Sequence, residues 1–266
     1  MRLQEAARIT KSAEGRYECN LQPDWCIGDV PNGGYLTSVI HNAILSESTS
    51  QPDLIHVSLH FLTKADPGPA RVVVAKVKSG RNFSVFHAEL RQGRARVVGY
   101  VTMGTSPDES GLSLPCGRRR TLPRREGLSP KADAHADFRK ISKRLEYFPA
   151  ESGDSLNPGY WVRFRDDDLH AICIGVLADM VRFPEPLMVR EQETGGFWWL
   201  PTIALSLHQT KRLQGTFVWV DVGNKSVRNG RMDMDVLIRD EQGDVVAVAN
   251  HCALIVGSER NLKPKL

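Results

Sequence analysis

Apolar residues at Leu36, Val39, Ile40, Ala43 and Ile44 recur three and four positions apart, on one face of an amphipathic helix. Pro31-Asn32-Gly33-Gly34, just ahead, supplies the entry turn. Beyond the helix the period drops to two. Leu54–Leu62, Ala70–Lys78, Phe83–Arg91 and Ala95–Met103 are rich in Val, Phe and Tyr, and are separated by Asp-Pro-Gly, Ser-Gly and Gln-Gly signals. Connections this short exclude helical crossovers, so these runs predict an antiparallel meander. The plan then returns. Leu169, Ile172, Cys173, Val176, Leu177 and Met180 mark a second helix face, with Asp166-Asp167-Asp168 at its N-terminal end and Pro184 past its finish. Strands are predicted at Thr202–His208, Thr216–Val222, Arg231–Arg239 and Val245–Val256, the last entered through Glu241-Gln242-Gly243-Asp244.

The two stretches also echo each other residue by residue. Val57-Ser58-Leu59-His60 reappears as Leu205-Ser206-Leu207-His208, and Val97-Val98-Gly99-Tyr100-Val101 as Val245-Val246-Ala247-Val248-Ala249. One offset, 148 residues, separates His60 from His208 and Val97 from Val245. A period this long implies two pseudo-equivalent units rather than a stacked array. The expected division is 1–105, a Pro/Arg-rich linker at 106–143 with a short helix from Ala132 onward, and 144–266. The fold class is α+β: a long helix embraced by an antiparallel sheet, present twice, with the two sheets joined edge to edge so that strand edges are covered. A cleft between such units is a preferred place for a ligand.

Composition narrows the function. Hydrophobic residues at 41% and charged residues at 25% are ordinary for a globular protein, and a net charge of +4 is too small to imply nucleic-acid binding without a concentrated patch. The one basic cluster, Arg118-Arg119-Arg120 with Arg124-Arg125, sits among prolines and glycines and reads as a solvated linker, with an anionic contact or transport signal as the alternative. The five cysteines form no Cys-x-x-Cys pair, so neither a zinc site nor a disulfide framework is expected. No apolar run reaches membrane-spanning length, and a cytoplasmic location is the default. The terminal Pro-Lys-Leu approaches a peroxisomal Ser-Lys-Leu address without matching it. Serine-hydrolase, zincin, phosphate-loop and dinucleotide signatures are all missing, and no metal or other cofactor is implied.

Trp25, Val30-Pro31-Asn32-Gly33-Gly34-Tyr35-Leu36 and His56-Val57-Ser58-Leu59-His60-Phe61-Leu62, followed by Asp66-Pro67-Gly68-Pro69 and Gly80-Arg81-Asn82-Phe83-Ser84, resemble the N-terminal half of the thioesterase-like superfamily. Those proteins are double hot-dogs related to acyl-CoA thioesterase II. Leu177-Ala178-Asp179, Pro201-Thr202-Ile203 and Gly243-Asp244-Val245-Val246-Ala247 continue the likeness, which covers roughly residues 20–105 and 160–256. The resemblance implies hydrolysis of an acyl-CoA or carrier-bound acyl or polyketide thioester by an activated water. Its catalytic Asp falls on Asp179, its Ser or Thr on Thr202, and its Gln on His251, where this sequence departs from the pattern. Such chains also pair further, so a homo-oligomer is an open expectation.

Each position has a chemical reading and a packing one. Asp179 sits near the C-terminal end of its predicted helix, where the macrodipole disfavours an anion by about 0.3–1 kcal/mol. A carboxylate kept there is suited to activating water, although a surface Asp on a helix flank is the plain alternative. Thr202 can orient that water or simply suit a strand. His251 can replace an amide, act as a base, or be satisfied locally. Gly33-Gly34 offers free amides to an oxyanion, with Tyr35 beside them, or else marks a tight turn with positive φ. Trp198-Trp199 can line a substrate tunnel or pack a core. His60 and His208, as repeat equivalents, suggest shared packing. Two rival functions keep the same fold: a dehydration, isomerisation or cyclisation using His251, and a non-catalytic acyl-binding protein.

Overall fold

Alternation in the strand around Ser58 buries Val57 and Leu59 while His60 stays exposed, and this period-two pattern recurs across one large sheet. The computed structural model describes residues 1–105, 112, 121–150, 159–180, 187, 193 and 197–262. The chain runs through α1 (Leu3–Ala6), β1 (Ile9–Ala13), β2 (Arg16–Leu21), the ribbon β3 (Cys26–Ile27) and β4 (Val30–Pro31), and α2 (Gly33–Glu47). Then come β5 (Asp53–Phe61), β6 (Gly68–Lys78), β7 (Phe83–Gln92) and β8 (Arg94–Gly104). After β9 (Leu145–Pro149), β10 (Gly159–Phe164), α3 (Cys173–Ala178) and β11 (Trp198–Trp199) follow β12 (Thr202–Gln209), β13 (Val218–Arg228), β14 (Arg231–Arg239), β15 (Val245–Leu254) and β16 (Val256–Gly257).

Twelve of these strands form one sheet in the order β1-β2-β6-β7-β8-β5-β12-β15-β14-β13-β10-β9. Its central seam is the antiparallel pair β5–β12, in which Ser58 lies opposite Ser206. These two serines are also 148 residues apart, so a pseudo-two-fold axis passes between them. Around it Leu59 faces Leu205, Val57 faces Leu207, and His56 faces His208. One expectation needs correction. His60 pairs with Val98 while its counterpart His208 pairs with Val248, so β8 and β15 correspond at 150 residues, not 148. The hairpin between Arg239 and Val245 is two residues longer than the one between Arg91 and Ala95. A slip of two preserves which side chains face inward.

The predicted strands all form, with ends shifted by a few residues; β1, β2, β9 and β10 extend the sheet beyond them. The first helix covers its predicted face and is buried nearly all round, Thr37, Ser38 and His41 included. The second is short. Leu169, Ile172, Cys173, Val176, Leu177 and Met180 are all buried as expected, but only Cys173–Ala178 is helical. Leu169 N–H instead bonds Gly215 O in the loop between β12 and β13, and Asp167 meets the His170 ring at 3.2 Å, so the acidic run leads the chain in without helical turns. The sequence expectation of two long helices therefore holds for one.

The helices touch through small residues. A Cβ on Gly34 would stand 2.5 Å from Gly175 O, and one on Gly175 would meet Gly34 O and Ser38 at 2.9 Å. Ser38 Oγ donates to Ile172 O at 2.6 Å, fastening the crossing. A separate cluster of Phe148, Trp161 and Trp219 is covered by Leu122 and Leu128. Arg125 lies 3.9 Å over the Phe217 ring and pairs with Glu241, so this part of the basic cluster is packed rather than solvated. Instead of an α-helix after Ala132, a 3-10 turn forms at Lys140–Arg144. Arg118–Arg120, Cys116, Pro184, Gly195-Gly196 and the Pro-Lys-Leu tail lie outside the described residues. No helix among the described residues is long and apolar enough to cross a membrane.

Candidate active site

The close helix crossing determines where Asp179 goes. It caps the C-terminal end of α3, and the contact with Gly34 carries its carboxylate to the N-terminal end of α2. Sequence placed this acid at an unfavourable helix end; in space it also faces a favourable one. Oδ2 accepts from Gly34 N–H and Asn32 Nδ2, each at 2.8 Å. Oδ1 accepts from Thr202 Oγ1 at 2.8 Å and lies 3.3 Å from His251 Nε2. With side chains 3% and 0% exposed respectively, Asp179 and His251 depend on these partners.

The proton inventory fixes the direction of each bond. Thr202 gives its one hydrogen to Asp179, so the contact between His251 Nε2 and Thr202 Oγ1 at 3.1 Å requires Nε2 to donate. Nδ1 is then bare, and it is buried without a partner. Protonating it would create an unsatisfied buried N–H. Burial lowers the His251 pKa below the ordinary imidazole value, with the Asp179 charge opposing the shift.

Above this cluster opens a cavity of about 290 Å³. Asn32, Gly33, Asp179 and Thr202 line its polar part; Leu36, Phe61, Trp199, Leu200 and Val256 are among its apolar walls, and Lys64 and Arg260 stand at its exposed side. Asn261 holds the wall strand β3 by donating to Ile27 O at 2.8 Å and accepting from Asp29 N–H at 2.9 Å. Gly28, at φ +57, is where the wall turns, and any side chain there would collide with Asn261 and Phe138.

Asp179, Thr202, His251 and Gly33 therefore come together, and Trp199 joins the cavity wall. Five other expectations change. The Gly34 amide is occupied by Asp179, so it is not free for a substrate oxyanion. Neither Gly33 nor Gly34 has positive φ; both are helical, and close approach is what demands glycine. Tyr35 is fully buried away from the cavity, its hydroxyl bonded to Ala6 O at 2.7 Å and its ring stacked on Trp25. Trp198 turns out of the cavity and donates to Leu187 O at 3.3 Å. His60 and His208 are both exposed, and His208 stacks on His56 at 4.3 Å. Asn32 was missed. Its N-cap role, accepting from Tyr35 N–H at 3.0 Å, is legible in sequence, but its bond to an acid 147 residues away is not.

A helix cradled by an antiparallel sheet, doubled into one sheet, defines a double hot-dog protein, here with a buried acid at the helix crossing. Residues 21–104 match the acyl-CoA thioesterase N-terminal domain and residues 120–255 match the C-terminal domain. The chain belongs to this acyl-CoA thioesterase family and is an acyl-CoA thioesterase-like hydrolase. It is 28% identical to the thioesterase-like protein TwmA of Talaromyces wortmannii, over 98% of this chain and 94% of that one. It is 30% identical to the ustilagic acid biosynthesis cluster protein orf2 of Mycosarcoma maydis, over 58% and 44%. Acyl-CoA thioesterase II TesB2 from Mycobacterium marinum superposes with a TM-score of 0.75 at 15% identity, covering 96% of this chain and 98% of that one. The same fold extends to the dehydratase domain of the CurJ module of curacin polyketide synthase, with a TM-score of 0.57 at 10% identity over 98% and 100%.

Proposed function

We propose that the chain hydrolyses a CoA- or carrier-bound acyl or polyketide thioester, with Asp179 as general base for a water held against Thr202. The observation that supports this most is the Asp179–Thr202 contact of 2.8 Å on the wall of the cavity, beside the amino end of a 15-residue helix. Three acceptor positions of the carboxylate face protein donors, Asn32 and Gly34 on Oδ2 and Thr202 on Oδ1. Rotating the Thr202 hydroxyl frees one of them on Oδ1 for a water proton, at the cost of a single torsion. His251 stands behind Thr202, donates to it, and keeps its oxygen oriented. Gly33 N–H, in the first turn of α2, is the donor for the developing oxyanion. Attack gives a tetrahedral intermediate; its collapse expels the thiolate, which takes up the proton that Asp179 held. The acyl group leaves as a carboxylic acid, which gives its remaining proton to solvent and becomes a carboxylate.

Asp179→Asn tests the assignment. Thiol release from acyl-CoA substrates should fall by at least about 10³-fold, while the thermal melt still shows a cooperative fold. Unchanged turnover would reject it. The close pairing of His251 with Asp179 favours one second reading, in which the pair moves protons on a bound intermediate without cleaving the thioester. Product formation with no free thiol would establish that chemistry instead.

A further inference from the structure

A cationic corner borders the cavity, and nothing in the proposed hydrolysis uses it. Thr63 Oγ1 accepts from Arg94 Nη2 at 3.3 Å and Arg96 Nη1 at 2.9 Å, and Arg96 also donates to Lys64 O at 2.7 Å. Lys64 Nζ lies 4.8 Å over the Trp199 ring and donates to Arg260 O, which draws the second cavity-lining cation alongside. Arg96 Nε is buried with no partner. Among the described residues, the carboxylates nearby are Asp66, 3.7 Å from Arg96, and Glu259 next to Arg260 in sequence. Four cations thus meet two acids.

The duplicated half supplies a control. Leu62 and Thr63 N–H bond Arg96 O, just as Thr210 and Lys211 N–H bond Val246 O, so the two corners share one backbone plan. In the second corner Lys211 pairs with Asp240 at 2.5 Å and with Asp244 at 3.4 Å, and Arg212 Nη2 binds Asp53 at 2.9 Å. That corner neutralises itself. The excess positive charge is confined to the copy that borders Asp179's cavity.

We propose that Lys64, Arg260 and the Arg94–Arg96 pair form a phosphate site, which receives the phosphate of a phosphopantetheine arm whose thioester reaches Asp179. This rests on the thioester reading above. Clustered guanidinium and ammonium donors suit phosphate oxygens, and Trp199 offers a flat surface along which the thin apolar arm can lie. Coenzyme A and a carrier protein both present this phosphate.

The test compares binding by calorimetry of pantetheine, 4′-phosphopantetheine and coenzyme A, none of which needs turnover. In the wild type, phosphopantetheine should bind at least about tenfold tighter than pantetheine, since a charge-assisted phosphate contact is worth a factor of that order. Lys64→Glu/Arg260→Glu, at two exposed positions, should collapse that ratio to near one. Raised salt should shrink it in the wild type. Equal binding of phosphopantetheine and pantetheine to the wild type, or a ratio that survives the double variant, overturns the proposal. If the binding ratio behaves as expected but no thiol is released from any acyl-CoA, the hydrolysis reading fails while the phosphate site stands. Turnover of an acyl-CoA and of a holo-carrier thioester then separates the two sources.

Discussion

Gly33 and Gly34 are neighbours with opposite jobs, and alanine at each should separate stability from catalysis. A Cβ on Gly34 would lie 2.5 Å from Gly175 O, 2.7 Å from Val176 Cα and 2.7 Å from Asp179 Cβ. Two of these are backbone atoms, so α2 and α3 must part by most of an ångström. Overpacking of this kind costs about 1–3 kcal/mol. Stretching the Gly34 N–H bond to a buried carboxylate adds about 1.5–3 kcal/mol, and the better helix propensity of alanine returns at most about 1 kcal/mol. Gly34→Ala should therefore lose about 1.5–5 kcal/mol in urea unfolding and lose activity with it. A Cβ on Gly33 meets side-chain atoms instead: Thr202 Oγ1 at 2.8 Å and both Asp179 oxygens at 3.1 Å. Gly33→Ala should stay within about 1 kcal/mol of wild-type stability and yet lose most of kcat, because its methyl group displaces the reacting water. The assays are urea midpoints and thiol release on the same preparations. A Gly34→Ala protein as stable as wild type, or a fully active Gly33→Ala, would refute the geometry.

Thr202→Val removes the hydroxyl between Asp179 and His251, and kcat for thiol release should fall by about 10²–10³-fold with little change in KM. His251→Gln retains a donor and should keep measurable activity, whereas His251→Leu should not. In the wild type, kcat should fall toward acid as His251 protonates, at a pH below the ordinary imidazole range because burial lowers its pKa; that acid limb should be missing from the pH profile of His251→Gln. His41, buried on α2 with both ring nitrogens unpartnered, has its pKa lowered to about 4 by burial. The unfolded chain takes up a proton near pH 6.5 that the folded protein refuses. The neutral ring's contribution is therefore complete above that pH and fades as pH falls toward 4, by about 3 kcal/mol in all. The urea midpoint of wild type should fall relative to that of His41→Leu across that window, and parallel pH curves would rule it out.

Sequence carried the strands and the helix faces because burial on one side imposes a period, and a period survives without coordinates. Tyr17, Cys19 and Leu21 show that period too, in a segment too short for it to predict a strand. The outermost strand β1 has no alternation to detect, since four of its five residues are exposed. What sequence could not carry is contact at a distance. The same Asn-Gly-Gly-Tyr run holds a cap, a glycine that lines the cavity, an amide that binds Asp179 and a core tyrosine. Only the placement of α3 tells these roles apart. The shortened α3 follows the same rule, because Leu169 N–H is claimed by Gly215 O from the loop between β12 and β13, distant in sequence.

Duplication also explains why one site is enough. The register of the sheet assigns Thr202 a counterpart in Leu54, since Thr202 lies opposite Ala253 as Leu54 lies opposite Met103. His251 lies opposite Leu205 as Val101 lies opposite Val57, so its counterpart is Val101. Leu54 and Val101 are 4% and 1% exposed. A buried hydroxyl and imidazole are tolerable where Asp179, Asn32 and the start of α2 supply partners; without them each unsatisfied polar group costs about 1–3 kcal/mol. The copy that lacks those partners packs hydrocarbon in the same two positions. Installing Leu54→Thr and Val101→His together should thus destabilise the protein without creating a second site, and Asp179→Asn in that background should leave no thiol release behind.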